Sequence, residues 1–355
     1  MTAIDLRSDT VTLPTERMRA RMATAELGDD ARDGDPTVQA LEALAAKRTG
    51  KEAALFVPSG SMANLVALLS HTGRGGEVLL DADCHIARSE MGGIAGLAGL
   101  FHRTIPAVRG AMDLGALAEA LSPGLSPNRL GTALVTLETT HNAAGGTVLP
   151  LSYMAAVARL ARDGGVPVHI DGARLFNAAV ALGVGAERVA AHGDSVCFCI
   201  SKGLSAPVGS LLCGSAAFIQ RARAFRRMVG GNLRQAGTVA AAGIVALEEM
   251  IDRLAEDHAS ARHLALGLAR LDVSLADPGE IESNIVNVEL AASRHTAAEW
   301  VGALKERGLL VGAARPFRLR LVTHRHIGPA EVERAIEAFA KVWKGFTARQ
   351  PAAAV

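Results

Sequence analysis

Neither sign of charge dominates this 355-residue chain: 37 Lys and Arg face 36 Asp and Glu, a formal net charge of +1. A balance this even gives no electrostatic reason to expect nucleic acid or an anionic membrane as partner. Long apolar runs are missing as well. The longest nearly apolar stretch, residues 238–247, falls far short of the roughly 18 residues of a membrane helix. The N-terminus, MTAIDLRSDT, carries charge from Asp5 onward and has no apolar signal-peptide segment, so a cytoplasmic location is expected. Cysteine is scarce: Cys84, Cys197, Cys199 and Cys213 are the four present. Cys197 and Cys199, one residue apart in a strand-like segment, share a face with no second ligand pair. They read as small core hydrophobes, and no metal is expected. The dinucleotide-binding fingerprint and the Walker sequence are absent too. The glycine-rich residues 92–99 (GGIAGLAG) follow no strand and read as close packing.

What is present is ordinary globular material, 49% hydrophobic and 21% charged, with a length that suggests about two domains. Short apolar runs alternate with helical periodicity, which predicts an α/β fold built on a mainly parallel, seven-stranded type of sheet with helices on both faces. Strands are expected at 53–57, 77–81, 132–137, 166–170, 195–200 and 211–214, with a clear helix over 152–163. Past residue 254 the pattern changes to helix (258–271), strand (285–290), helix (296–307), strand (318–323) and helix (329–344). These features predict a large domain over 1–254, a small α+β domain over 255–346 and a loose tail over 347–355.

In a parallel α/β sheet, ligands bind beyond the carboxyl ends of the strands. Two such ends carry a complementary pair. Asp171 closes VPVHID, and Lys202 lies just past SVCFCI. A lysine can hold the aldehyde of pyridoxal 5'-phosphate as a Schiff base, and an aspartate can keep its pyridine nitrogen protonated. After the strand ending at Val57, the small-residue turn PSGSMAN opens a helix. Its free N–H groups make Gly60 and Ser61 candidates for the phosphate, although on this motif alone a glycine turn with Ser59 or Ser61 as an ordinary helix cap is the favoured reading.

Several motifs occur in one order: DLRSDTVT (5–12), GDD (28–30), DPTV (35–38), THN (140–142), HIDGAR (169–174), SKG (201–203), PVGS (207–210) and LVTH (321–324). In these the chain resembles, almost end to end, the low-specificity L-threonine aldolases, fold-type I pyridoxal phosphate enzymes. The resemblance implies that Lys202 is the Schiff-base lysine and Asp171 the partner of the pyridinium. It implies that His85 stacks on the cofactor ring and that His141 approaches the substrate's β-hydroxyl. Which of the two is the base stays open; imidazole suits the task at neutral pH. Arg174 and Arg320 match the arginines that grip the substrate carboxylate, joined by Ser8. Arg234 matches one that reaches the cofactor phosphate from a neighbouring subunit, which implies a homodimer or homotetramer with shared active sites. The implied reaction cleaves L-threonine, L-allo-threonine or a relative such as phenylserine to glycine and an aldehyde. The alternatives are β-elimination or transamination with the same cofactor and, remotely, a non-catalytic or NAD-binding α/β protein. The chain departs from the family pattern at Arg32, where a tyrosine is usual, and this loop is expected to bear on substrate preference.

Overall fold

The computed structural model describes residues 3–122 and 124–347. The chain divides into two compact units, Leu13–Asp252 and a second made of Met1–Thr12 with Arg253–Val355. Of the tail expected at 347–355, Thr347 ends the last helix, and 348–355 lie outside the described residues.

The larger unit is built on seven strands: β1 (Ala53–Val57), β2 (Glu77–Asp81), β3 (Phe101–Ile105), β4 (Thr132–Glu138), β5 (Val168–Asp171), β6 (Ser195–Cys199) and β7 (Ser210–Gly214). Their spatial order is β1-β7-β6-β5-β4-β2-β3. The pairs from β6 to β3 are parallel, and β7 runs antiparallel to both β1 and β6. The expected α/β fold with a mainly parallel sheet is therefore what forms. Strands covered on both faces need no polar alternation, which is why β2, β5, β6 and β7 are buried along their whole length.

Alternate residues serve the two layers. Leu55, Val57, Cys197 and Leu212 pack with Val66 and Ala67 of α1 (Gly60–His71), and with Phe218 and Ile219. Phe198 turns the other way, edge-on to Phe176 of the helix Leu175–Leu182 at 5.1 Å. The edge strand β1 does not leave its amides bare, because Glu42 Oε1 accepts the Phe56 N–H at 2.9 Å.

Three local readings differ from the sequence expectation. Strand β3 was not expected: at the sheet edge, Phe101, His102, Arg103 and Thr104 are exposed, so no apolar run announces it. The helix expected from 152 begins at Leu151 after Pro150, with no side-chain cap; proline's fixed φ starts it instead of Ser152. Of the glycines in 92–99, only Gly99 meets close neighbours, since a Cβ on Gly92, Gly93 or Gly96 would meet nothing within 4 Å, whereas one on Gly99 would lie 2.7 Å from the Arg74 guanidinium.

The smaller unit, described by itself, holds an antiparallel sheet of β8 (Ile285–Glu289), β9 (Gly312–Arg315) and β10 (Arg318–Val322), in the order β8-β10-β9. Helices Leu254–Leu271, Ala297–Lys305 and Pro329–Thr347 pack a core around the fully buried Trp300 and Phe339. Trp300 is satisfied by donating Nε1–H to Ser293 Oγ at 3.0 Å. Residues Ile4–Asp5 join this unit by pairing in parallel with Leu309–Leu310.

Candidate active site

Strand ends assemble the polar groups. β5 stops at Asp171, opposite Cys197 of β6, and the Asp171 carboxylate is 2% exposed. Its Oδ1 accepts the Ala173 N–H at 3.0 Å and its Oδ2 accepts from Asn64 Nδ2 at 2.8 Å. The chain must turn at once. Gly172 donates its N–H to the Cys197 carbonyl, and a Cβ there would sit 2.7 Å from that oxygen, so only glycine fits. Three residues past β6, half-buried Lys202 stands in a tight turn closed by Ser205 N–H on the Lys202 carbonyl at 2.8 Å. Ser205 is left-handed, at φ 65.

At β1 the chain enters α1 through Ser59, whose Oγ accepts the Met62 N–H at 3.2 Å. The first-turn amides, those of Gly60 and Ser61, precede the helix's own ladder and lie at its positive end. Gly60 lies so close to Cys199 that a Cβ would come within 2.9 Å of its sulfur.

β2 delivers His85. Its backbone N–H donates to Glu138 Oε2 at 2.5 Å, and its Nδ1 meets Glu90 Oε1 at 2.9 Å. Glu138, the last residue of β4, also accepts the Asn142 N–H on Oε1 at 2.7 Å, so one carboxylate clamps two site loops. The hydrogen bond to Glu90 raises the His85 pKa against the opposing effect of burial, with the Asp171 charge helping. Burial raises Glu90 and Glu138, partly offset by their histidine neighbours.

His141 is placed differently from His85. It is 1% exposed, Nε2 meets Asp81 Oδ2 at 2.8 Å, and Nδ1 accepts the Ala144 N–H at 3.2 Å. Both ring nitrogens are thus engaged within the protein. Burial pulls its pKa down, but the Asp81 hydrogen bond and the charges of Glu138 and Asp81 outweigh it, and the net direction is up. Arg174, 5% exposed, reaches from the start of the helix after Asp171 to Asn142 Oδ1 at 3.4 Å. Lys202, Asp171, Arg174, His85, His141, Gly60 and Ser61 all belong to the larger unit.

Ser8 and Arg320 belong to the smaller unit. There Arg320 Nη2 donates to the carbonyl of Arg7, next to Ser8, at 3.4 Å, while Ser8 Oγ accepts from the Thr10 N–H and hydroxyl. Arg234 is 65% exposed and faces Asp29 of its own chain at 3.4 Å. Arg32, 80% exposed, approaches the same carboxylate at 3.8 Å.

Sequence reasoning did not find Asn64, Glu90, Glu138 or His169. Each carried a faint signal: a polar residue in the apolar helix MANLVALL, a carboxylate five residues past His85, a carboxylate ending an apolar strand, and a histidine inside one.

His85, Glu90 and Asp171 bring ligand atoms within 4.8 Å of one another beside the start of α1. These residues fit pyridoxal phosphate: a buried acceptor for a protonated ring nitrogen, free amides for a phosphate, and a primary amine for a carbonyl.

The family described as "Beta-eliminating lyase" matches residues 5–291. The probable low-specificity L-threonine aldolase 2 of Arabidopsis thaliana is 44% identical over 96% of this chain and 97% of its own. The low specificity L-threonine aldolase of Escherichia coli K12 is 40% identical over 98% of this chain and 100% of its own. The solved threonine aldolase of Leishmania major has the same fold, with a TM-score of 0.83 at 18% identity over 96% and 99% of the two chains.

Proposed function

We infer the activity from one premise: the chain belongs to the β-eliminating lyase family, among its low-specificity L-threonine aldolases. It is a pyridoxal phosphate-dependent lyase that cleaves L-threonine, and L-allo-threonine or a related β-hydroxy-α-amino acid, to glycine and an aldehyde. The observation that carries this reading is the buried Asp171 carboxylate at the end of β5, beside the strand that leads into Lys202. When bound, the cofactor supplies an electron sink for the pair released as Cα–Cβ breaks.

The protein's own groups supply the rest. Lys202 Nζ would anchor the cofactor carbonyl, the Asp171 carboxylate would receive the ring N–H, and the amides of Gly60 and Ser61 would receive the phosphate. Arg174 is the larger unit's guanidinium for the substrate carboxylate. A planar bidentate grip would fix the orientation of the bonds at Cα and so decide which of them breaks.

The β-hydroxyl proton must leave as the bond breaks. His85 is the base in this reading, because Nδ1 is held by Glu90 while Nε2 has no partner among the described residues, and Glu90 stabilises the imidazolium that forms. His141, with both nitrogens engaged, orders Asp81 and the loop to Asn142. Arg234 is proposed to serve the phosphate of a neighbouring copy in a homodimer or homotetramer. No helix among the described residues is long and apolar enough to cross a membrane, and we place the protein in the cytoplasm. Threonine supplied to the purified holoenzyme should give equimolar glycine and acetaldehyde. Ammonia with a 2-oxo acid in their place would establish elimination and overturn the aldolase reading.

A further inference from the structure

Behind Asp171 lies a run of buried polar side chains that the reaction itself does not use. Asn64 and His71 sit seven positions apart on α1, hence on one face of it, above β5 and β6. Asn64 Nδ2 lies 2.8 Å from Asp171 Oδ2 and 2.8 Å from Glu90 Oε1. Asn64 Oδ1 lies 3.1 Å from His169 Nε2 and 3.2 Å from Cys197 Sγ. His169 Nδ1 meets Ser195 Oγ at 2.8 Å, and Ser195 Oγ meets His71 Nε2 at 2.7 Å. Asn64, His169 and Ser195 are at most 1% exposed.

The donor and acceptor roles follow from what each group can do. Two carboxylates only accept, so the Asn64 amide must turn both N–H bonds toward them and its oxygen toward His169. His169 must then carry its hydrogen on Nε2, which leaves Nδ1 to accept the Ser195 hydroxyl. The serine oxygen is left to accept from His71 Nε2–H. Every hydrogen bond therefore points the same way, from His71 through Ser195, His169 and Asn64 to Asp171 and Glu90. The run depends on His169 staying neutral, since its Nδ1 must accept, and burial favours this by taking its pKa down to about 4.

We propose that Asn64 is the positioning residue for Asp171 and Glu90, and that His169, Ser195 and His71 lock its amide in the one orientation that aims both hydrogens at those carboxylates. The amide thereby joins the acceptor of the ring nitrogen to the carboxylate that backs His85. A flipped amide would set an oxygen against Asp171 and Glu90, and the His169 and Cys197 hydrogens would lose their acceptor. This inference rests on the functional reading above, because the Asp171 carboxylate is given meaning by the cofactor it receives.

The test compares His169→Leu, His169→Gln and Ser195→Ala. Pyridoxal phosphate is titrated into each apoprotein, and the pH dependence of the bound cofactor's absorbance is recorded, with no amino acid present. Leucine fills the space and donates nothing. Glutamine supplies an N–H toward Asn64 and an oxygen toward Ser195. His169→Leu should weaken cofactor binding about tenfold and displace the absorbance titration, as loss of one buried hydrogen bond implies, and His169→Gln should recover most of it. Ser195→Ala, which leaves β6 intact, should fall between them and decides the matter if His169→Leu does not fold. Parental affinity and absorbance in both His169→Leu and Ser195→Ala would overturn the proposal. So would a folded His169→Gln as impaired as the leucine variant. A parent protein that takes up no pyridoxal phosphate overturns this proposal together with the functional reading. One that takes it up but releases no glycine overturns the aldolase assignment alone.

Discussion

His85 Nδ1 and Glu90 Oε1 stand 2.9 Å apart, and with His85 as the proposed base this pair sets the expected direction of the pH dependence. Glu90 raises the His85 pKa, so the ring stays protonated at pH values where a free imidazole, near 6.5, has lost its proton. A base must be neutral to act, and its active fraction is therefore gained as pH rises through the raised value. The acidic limb of kcat/KM for threonine cleavage should lie above the ordinary imidazole range. Glu90→Gln should move that limb to lower pH and reduce the plateau. An unmoved limb across pH 5 to 9 would show that another group is being titrated.

Lys202→Ala removes the amine proposed to anchor the cofactor carbonyl. Activity should drop by about 10³-fold or more, as for loss of a covalent catalyst, with the melting temperature of the apoprotein near parental. Absorbance spectra of the protein mixed with pyridoxal phosphate provide the check. A bound band identical to the parent's would remove Lys202 from its role.

Gly110→Ala probes His141 at a distance from any substrate. Gly110 has φ +84, and a Cβ there would lie 2.6 Å from the His141 ring. The substitution should cost about 1–3 kcal/mol from backbone strain and overpacking combined. Because His141 steadies Asp81 and the loop to Asn142, kcat should fall along with stability. Chemical denaturation and steady-state kinetics together measure this, and a loss of stability with unchanged kcat would confine His141 to scaffolding.

Acid should unfold the apoprotein partly through its buried histidines. His169 is fully buried and holds no proton until about pH 4, whereas the unfolded chain takes one up near 6.5. The stability tied to the neutral ring is complete above the unfolded value and is lost as pH falls between those limits, at up to about 1.4 kcal/mol per pH unit. Melting curves of parent and His169→Gln from pH 8 to 4 should converge toward the acid end. Parallel curves would assign the acid sensitivity elsewhere.

Arg174→Lys keeps the charge and loses the planar fork. With threonine, KM should rise by about tenfold or more, since one point charge replaces a bidentate grip. Arg32→Tyr, by contrast, should leave turnover of the best substrate in place and reorder threonine, allo-threonine, phenylserine and serine. An unchanged ranking would detach Arg32 from specificity.

Much of this arrangement could be read before folding. Strands that are apolar on both faces declare themselves, and β1 and β2 begin and end where the residue pattern predicts. The edge strand β3 did not, because its residues face water and mimic a loop. At the site, Asp171 and Lys202 were legible since strand ends are where ligands bind. Asn64 and Glu90 were not. Their importance lies in what they touch, and the partners of Asn64 lie 26 to 133 positions away from it along the chain, a separation no local pattern records. His141 shows the converse: its residue type and position suit a base, and only the folded contacts reveal both nitrogens already occupied.

The reversal of β7 has a consequence for how such a protein can change. Every other neighbouring strand from β6 to β3 runs in parallel, which demands a long crossover between strands, but β6 and β7 meet as an antiparallel pair. Lys202 therefore rides on a closed bight, residues 200–209, whose two ends are pinned side by side in the sheet. The bight is not a loose surface loop: Leu204, Ser205 and Ala206 within it are at most 3% exposed, and Ala206 donates its N–H to the Ile200 carbonyl at 3.0 Å. In this scaffold the amine of Lys202 hangs on a short, internally packed loop, so a residue gained or lost there would shift it against the Asp171 carboxylate beside it.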